Sequence, residues 1–171
     1  LTAYDATMAR LLSRSRVDAL LVGDSLGMVV QGKRSTLQVT LSEMMYHTRM
    51  VRRGAPDHFI IADLPFGCFQ ASRRAGVENG LQLLKKTDAS AIKLEGANRL
   101  TLKVIRALVD AGVPVMGHIG LEPQSYLTMG GFRVQRETDT LLEKARALEE
   151  AGCFALVLEL IESQIAAAIT Q

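Results

Sequence analysis

Short apolar runs alternate along the chain with longer segments in which apolar residues recur at helical spacing. The runs fall at 18–22, 59–62, 89–94, 113–117 and 154–158, each of strand length and bounded by turn residues. Residues 1–4 read as the end of an earlier run. Helical periodicity covers 6–15, 41–53, 72–87, 99–111 and 140–151, and Ser163 is placed to cap a last helix running towards Gln171. Strand and helix alternate without a hairpin signal, which predicts an α/β protein of parallel β-α units. About six such units fit the 171 residues, whereas a closed barrel of eight typically needs about 250. The pattern therefore allows either an open, doubly wound sheet of six strands or a barrel lacking two units. No linker-like or low-complexity stretch interrupts 1–171, so a single domain is expected. The longest non-periodic segment, 119–139, holds Gly120, Pro123, Gly130 and Gly131 and reads as a mobile lid.

What ends each run is the informative feature. Asp24, Asp63, Glu95, His118 and Glu159 follow the successive apolar runs. In parallel α/β folds, ligands bind at the carboxyl ends of the strands, so these side chains are expected to converge. Strand alternation puts Leu20 and Val22 on one face with Asp24, Ile61 with Asp63, Lys93 with Glu95, Met116 with His118 and Val157 with Glu159. Each residue also has a plainer reading. An acid after a strand often caps the next helix, which suits Asp5 and excludes it from the site. Asp63 runs into Leu64-Pro65-Phe66-Gly67, where no helix begins, and Glu159 stands too far ahead of Ser163. Lys93 could pair with Glu95 alone, and a lone His118 could be a satisfied core histidine. Taken together, one lysine cannot balance four clustered carboxylates, and unpaired buried charge costs several kcal/mol. A divalent cation could do so. An all-oxygen donor set without Cys pairs or a His cluster favours Mg²⁺ over Zn²⁺.

Composition narrows the picture further. With 48% hydrophobic and 22% charged residues, the chain can bury a core and is not of the disordered class. Its 20 basic and 18 acidic residues are scattered, and Trp is absent, so neither a basic nucleic-acid footprint nor a base-stacking platform is expected. Cys68 and Cys153 have neither metal-ligand nor redox spacing. No apolar run reaches membrane-spanning length, and the opening residues do not form a secretory signal, so a cytoplasmic protein is expected. The chain opens within a strand-like run and stops within an amphipathic one, so flanking sequence is expected beyond both ends.

At the same residues the sequence resembles the ketopantoate hydroxymethyltransferases of the phosphoenolpyruvate/pyruvate barrel group. The motifs run in unbroken order: Thr-Ala-Tyr-Asp at 2–5, Val-Gly-Asp-Ser-Leu-Gly-Met at 22–28, Thr-Leu-Gln-Val-Thr at 36–40, Tyr-His-Thr at 46–48 and Val-Arg-Arg-Gly-Ala at 51–55. Ala-Asp-Leu-Pro-Phe at 62–66, Lys-Leu-Glu-Gly at 93–96, Gly-His-Ile-Gly-Leu at 117–121, Pro-Gln-Ser at 123–125 and Gly-Gly-Phe-Arg-Val-Gln at 130–135 follow. Glu122 and Arg136 depart from the family's usual pattern, which has Thr and Gly there. The Lys-Cys-Gly loop of phosphoenolpyruvate mutase and isocitrate lyase relatives is not found.

The resemblance implies a (βα)8 TIM barrel whose last two units lie outside this chain. It also implies hydroxymethyl transfer from 5,10-methylenetetrahydrofolate, as co-substrate, to 3-methyl-2-oxobutanoate, giving 2-dehydropantoate in pantothenate biosynthesis. By the same resemblance, Asp24 and Asp63 match Mg²⁺ ligands, with Glu95 an acid at that metal site. Asp24, Ser25, Asp63 and Lys93 match substrate contacts, Glu159 matches the general base, and members commonly assemble as decamers. His118 is expected to orient the oxo acid. A non-catalytic assembly subunit is the alternative, and the retention of Asp24, Asp63 and Glu159 weighs against it.

Overall fold

Parallel strands cannot be joined by a tight turn, so each apolar run needs a crossover segment to return the chain to the same edge. The computed structural model, which describes residues 1–131 and 133–171, shows that arrangement. In chain order its elements are α1 (Ala6–Leu12), β1 (Ala19–Val22), α2 (Leu26–Val29), α3 (Leu41–Gly54), β2 (Phe59–Asp63), α4 (Arg73–Thr87), β3 (Ala91–Glu95) and α5 (Arg99–Asp110). Then follow β4 (Val115–Gly120), α6 (Tyr126–Met129), α7 (Thr138–Glu150), β5 (Ala155–Glu159) and α8 (Ser163–Thr170). The five strands form one all-parallel sheet in sequential order, which is half of a barrel wall. The run at 1–4 contributes a single parallel bridge, Thr2 to Leu21, rather than a sixth strand among the described residues.

The helices cover one face of this sheet. Leu20, Val22, Ile60, Ala62, Ile92, Leu94, Val115 and Ile119 point into a shared apolar layer with Met44, Val51, Leu83, Val104, Ile105, Leu108 and Leu148 from the helices. Close approach is enforced at Gly54, where a Cβ would lie 2.2 Å from the carbonyl oxygen of Ala6, so α3 can pack on the start of α1 only with glycine there. Arg52, its motif neighbour, fastens the same corner by donating to the carbonyls of Pro56, His58 and Asp88 and to Ser90 Oγ. Among the described residues no helix is long and apolar enough to cross a membrane.

Three expectations change. The helix expected over 6–15 ends at Leu12, because the hydroxyls of Ser13 and Ser15 turn back onto the carbonyls of Arg10 and Leu12 and compete with further turns. Ser163 is the first residue of α8 rather than its cap, and Glu162, in the cap position, makes no capping bond. Segment 119–139 carries more structure than its lack of period predicts. It completes β4, makes a 3₁₀ turn at Pro123–Ser125, forms α6 and bridges Gln135 to Ile161. Phe132 of the Gly-Gly-Phe-Arg-Val-Gln motif lies outside the described residues. Asp5 behaves as expected, its Oδ1 accepting the amides of Thr7 and Met8 at 2.7 and 2.8 Å.

Candidate active site

The face of the sheet turned away from the helices carries the chemistry. Register pairs Asp63 with Lys93, Glu95 with His118 and Gly120 with Glu159, so the tips of β2 to β5 present these side chains together. Alternation therefore places Asp63, Lys93, Glu95, His118 and Glu159 as the sequence pattern predicts. It fails for β1. Leu21, not Leu20 or Val22, pairs with Ile61 and shares its face. Asp24 reaches the same space by a different route: β1 stops at Val22, and a turn through Gly23 swings the next residue across. A Cβ at Gly23 would lie 2.7 Å from Ser25 Oγ and 3.5 Å from Asp63 Oδ2, so the turn and the aspartate occupy adjoining space.

Asp24, Ser25, Asp63, Lys93, Glu95, His118 and Glu159 all line one cavity of about 250 Å³. A larger hollow of about 370 Å³ lies among α7, α8 and β5, but its lining mixes apolar side chains with scattered polar ones. We place the site in the smaller cavity, where the polar groups converge.

Lys93 is the hub. Its Nζ lies 3.0 Å from His118 Nδ1, 3.2 Å from Asp63 Oδ1 and 3.8 Å from Glu95 Oε1. His118 Nε2 lies 2.7 Å from the carbonyl oxygen of Leu121, which can only accept, so the ring proton sits on Nε2 and Nδ1 accepts from the lysine. Burial, helped by the charge of Lys93, holds the imidazole down to about 3. His118 is therefore neutral, and its 3.5 Å approach to Glu159 is a contact rather than an ion pair. For Lys93, burial works against the charge, but Asp63, Glu95 and Asp24 together outweigh it and push the ammonium upwards.

The carboxylates feel the opposite strain. Burial, with the charge of Asp63, raises Asp24 to about 7. Burial raises Glu95 to about 8 despite Lys93, and raises Asp63 and Glu159 as well. Four acids thus crowd one ammonium, and burial drives them towards their protonated forms in the absence of further positive charge. Asp63 Oδ2 accepts the backbone N–H of Asp24 at 3.0 Å, while its buried Oδ1 has the Lys93 ammonium 3.2 Å away as its neighbour among the described residues. With a single ammonium beside several buried carboxylates, a divalent cation would supply the positive charge that Lys93 alone cannot. Among the described residues no three His, Cys, Asp or Glu side chains form a ready ligand group. Two acids with room for other oxygens suit Mg²⁺, which keeps waters and substrate atoms in its shell. Asp24 and Asp63 fit that role. Glu95 is engaged elsewhere, by the backbone N–H of Gln124 at 2.8 Å and by Lys93.

Sequence reasoning missed several participants. Gln124 is buried among the strand tips and donates Nε2 to Asp24 Oδ2 at 2.8 Å and to the carbonyl of Leu64 at 3.1 Å. Thr36 lines the cavity with a buried hydroxyl that has no partner. Tyr4 Oη lies 2.8 Å from Ser25 Oγ, and His47 Nδ1 donates to the carbonyl of Tyr4 at 2.7 Å, so the serine is held from the N-terminal segment. These residues stand inside the quoted motifs, which was the available signal. At Gly120 a Cβ would lie 2.1 Å from the carbonyl oxygen of Glu159, and Leu121 N–H donates to that oxygen at 2.8 Å, fixing the end of β5. The departing residues find partners: Glu122 pairs with Lys144 at 3.2 Å and Arg136 with Glu162 at 2.6 Å.

With the geometry in hand, comparison with known proteins is informative. The profile of a family described as ketopantoate hydroxymethyltransferase matches residues 1–171. Two relatives, each named 3-methyl-2-oxobutanoate hydroxymethyltransferase, are similar throughout. That of Leptospira biflexa serovar Patoc is 48% identical over 99% of this chain and 65% of its own length. That of Desulforapulum autotrophicum is 50% identical over 100% and 65%. The chain thus spans just under two thirds of these relatives. Among solved structures, 2,3-dimethylmalate lyase, a PEP mutase/isocitrate lyase superfamily member, superposes with a TM-score of 0.73 at 21% identity, covering 99% of this chain and 61% of that one. That likeness shows the fold, a parallel half-barrel.

Proposed function

The chain belongs to the ketopantoate hydroxymethyltransferase family, and from that premise we propose that it carries the site that moves a hydroxymethyl group from 5,10-methylenetetrahydrofolate to 3-methyl-2-oxobutanoate. The product is 2-dehydropantoate, on the way to pantothenate. The observation that carries the proposal is the buried strand-tip cluster, in which Asp24, Asp63 and Glu95 crowd around the one ammonium of Lys93.

The difficult step is loss of a proton from the carbon beside the ketone. Asp24 and Asp63, with Glu95 behind them, would hold Mg²⁺, which when bound would supply Lewis acidity for the negative charge that develops as the proton leaves. Every other part falls to this chain. Lys93, kept charged by its acidic neighbours, attracts the carboxylate of the oxo acid into the cavity. Ser25, steadied by Tyr4, donates its hydroxyl to the same substrate. Glu159, half-buried at the tip of β5, takes the C3 proton, and burial makes it a stronger base than an ordinary glutamate. His118, neutral and fixed by Leu121, keeps Lys93 aimed and borders the place where the new hydroxyl forms. The expected partners are thus the oxo acid and the folate, with further copies of the chain completing a homo-oligomer.

Proton exchange tests the reading without the folate. In D₂O with Mg²⁺, the protein should exchange the C3 proton of 3-methyl-2-oxobutanoate, and Glu159→Gln should abolish the exchange while leaving metal binding intact. Exchange at an undiminished rate in Glu159→Gln would remove Glu159 from the base role.

A further inference from the structure

The amide of Gln124 touches a proposed metal ligand, and the direction of its hydrogen bonds is set from outside the site. The chain of direction starts at two backbone donors. Gly67 N–H and Phe69 N–H both reach Gln70 Oε1, at 2.8 and 3.3 Å, so that atom must be the carbonyl oxygen and the other end of the side chain must be the NH₂. Gln70 Nε2 then donates to Gln124 Oε1 at 2.9 Å. That in turn leaves the NH₂ of Gln124 facing Asp24 Oδ2 and the carbonyl of Leu64, both pure acceptors.

The consequence is a division of labour between oxygens. Asp24 Oδ2 is taken by Gln124, and Asp63 Oδ2 by the backbone N–H of Asp24. Asp63 Oδ1 has the Lys93 ammonium 3.2 Å away, and both aspartate side chains line the cavity. We propose that Gln70 and Gln124 form an amide relay that orients Asp24, engaging its Oδ2 so that its Oδ1 is the oxygen presented to the divalent cation. Both are positioning residues. Neither Gln70 nor Gln124 lines the cavity. The inference rests on the metal reading above and extends it to a residue pair that no motif role accounts for. Outer partners of this kind commonly set metal affinity by about 10- to 100-fold.

The test uses Mn²⁺ as a paramagnetic probe bound to the intact protein without substrate, so that turnover plays no part. Gln70→Glu keeps the shape and still accepts from Gly67 and Phe69, but has no N–H for Gln124. The Gln124 amide should then reverse and turn its carbonyl oxygen on Asp24. Gln124→Met removes the donor outright. Both variants should bind Mn²⁺ about 10-fold or more weakly, with wild-type circular dichroism. If Gln124→Met does not fold, Gln70→Glu, half-buried and beyond the cavity wall, carries the test alone. Wild-type affinity in Gln70→Glu overturns the relay. A wild-type protein that binds no Mn²⁺, or whose binding survives Asp24→Asn, fails the metal reading itself, and the two failures are told apart by those controls.

Discussion

The same strands carry two faces that are equally dry and chemically opposite. Towards the helices, β2 and β3 present Ile60, Ala62, Ile92 and Leu94, all fully buried. Away from them, the same strands present Asp63, Lys93 and Glu95, between 2 and 5% exposed. Burial of the first set stabilises the fold by about 25 cal/mol per Å². Burial of the second set works against it, since each desolvated charge costs several kcal/mol unless paired. One face supports the fold and the other strains it.

That contrast predicts that substitutions on the two faces have opposite signatures. The largest effect is expected from Asp63→Asn. Turnover of the full enzyme should fall by about 10³-fold or more, equivalent to roughly 4 kcal/mol of barrier. Its melting temperature should fall only modestly, because Lys93 loses its nearest carboxylate but keeps Glu95 at 3.8 Å. Unimpaired turnover, measured beside a thermal melt, would break the comparison. Next comes Leu94→Ala, between Lys93 and Glu95 but facing the helices. It should cost about 2–5 kcal/mol of stability in denaturant titration while leaving Mn²⁺ affinity unchanged.

A pH series sharpens the same contrast. Asp24 and Glu95 titrate above their unfolded values, at about 7 and about 8. The folded, metal-free protein therefore holds protons that the unfolded chain has released. The stability these two groups contribute is fully present below about pH 4 and is lost as pH rises towards about 8. Saturating Mg²⁺ should flatten that slope, since it favours the charged carboxylates. Denaturant midpoints at several pH values, with and without Mg²⁺, test this. A metal-free protein most stable at the alkaline end would count against the buried acids.

The smallest effect belongs to the helix side. Glu43 closes a capping box on α3, and the backbone N–H of Thr40 holds its carboxyl down to about 2. Its stabilisation is present above about pH 4.5 and lost as pH falls through about 2. Because the group is partly exposed and screened, Glu43→Gln should cost only about 0.5 kcal/mol near neutral pH. Chemical denaturation should show that gap closing in strong acid, with no change in Mn²⁺ binding.

How much was legible in the sequence varies with the range of the interaction. Alternation within β2 to β5 was enough to group Ile61 with Asp63, Lys93 with Glu95, Met116 with His118 and Val157 with Glu159, and the register agrees. At β1 it grouped Leu20 and Val22 with Asp24, because nothing local announces that the strand stops one residue before Gly23. Gln124 gave no periodic signal at all. It is a neutral residue in an irregular segment, and its partner Asp24 lies 100 positions away.

The order of strands and helices, the acid at each strand tip and the family motifs were determined by the sequence alone, since each depends on residues within a turn or two of one another. The tertiary structure decided what those signals leave open. It chose which face β1 turns inward, made His118 neutral by fixing its proton on the side of Leu121, and brought Gln70 and Gln124 against Asp24. These outcomes depend on register, burial and hydrogen-bond direction between distant segments, and only packing the chain into one volume sets those.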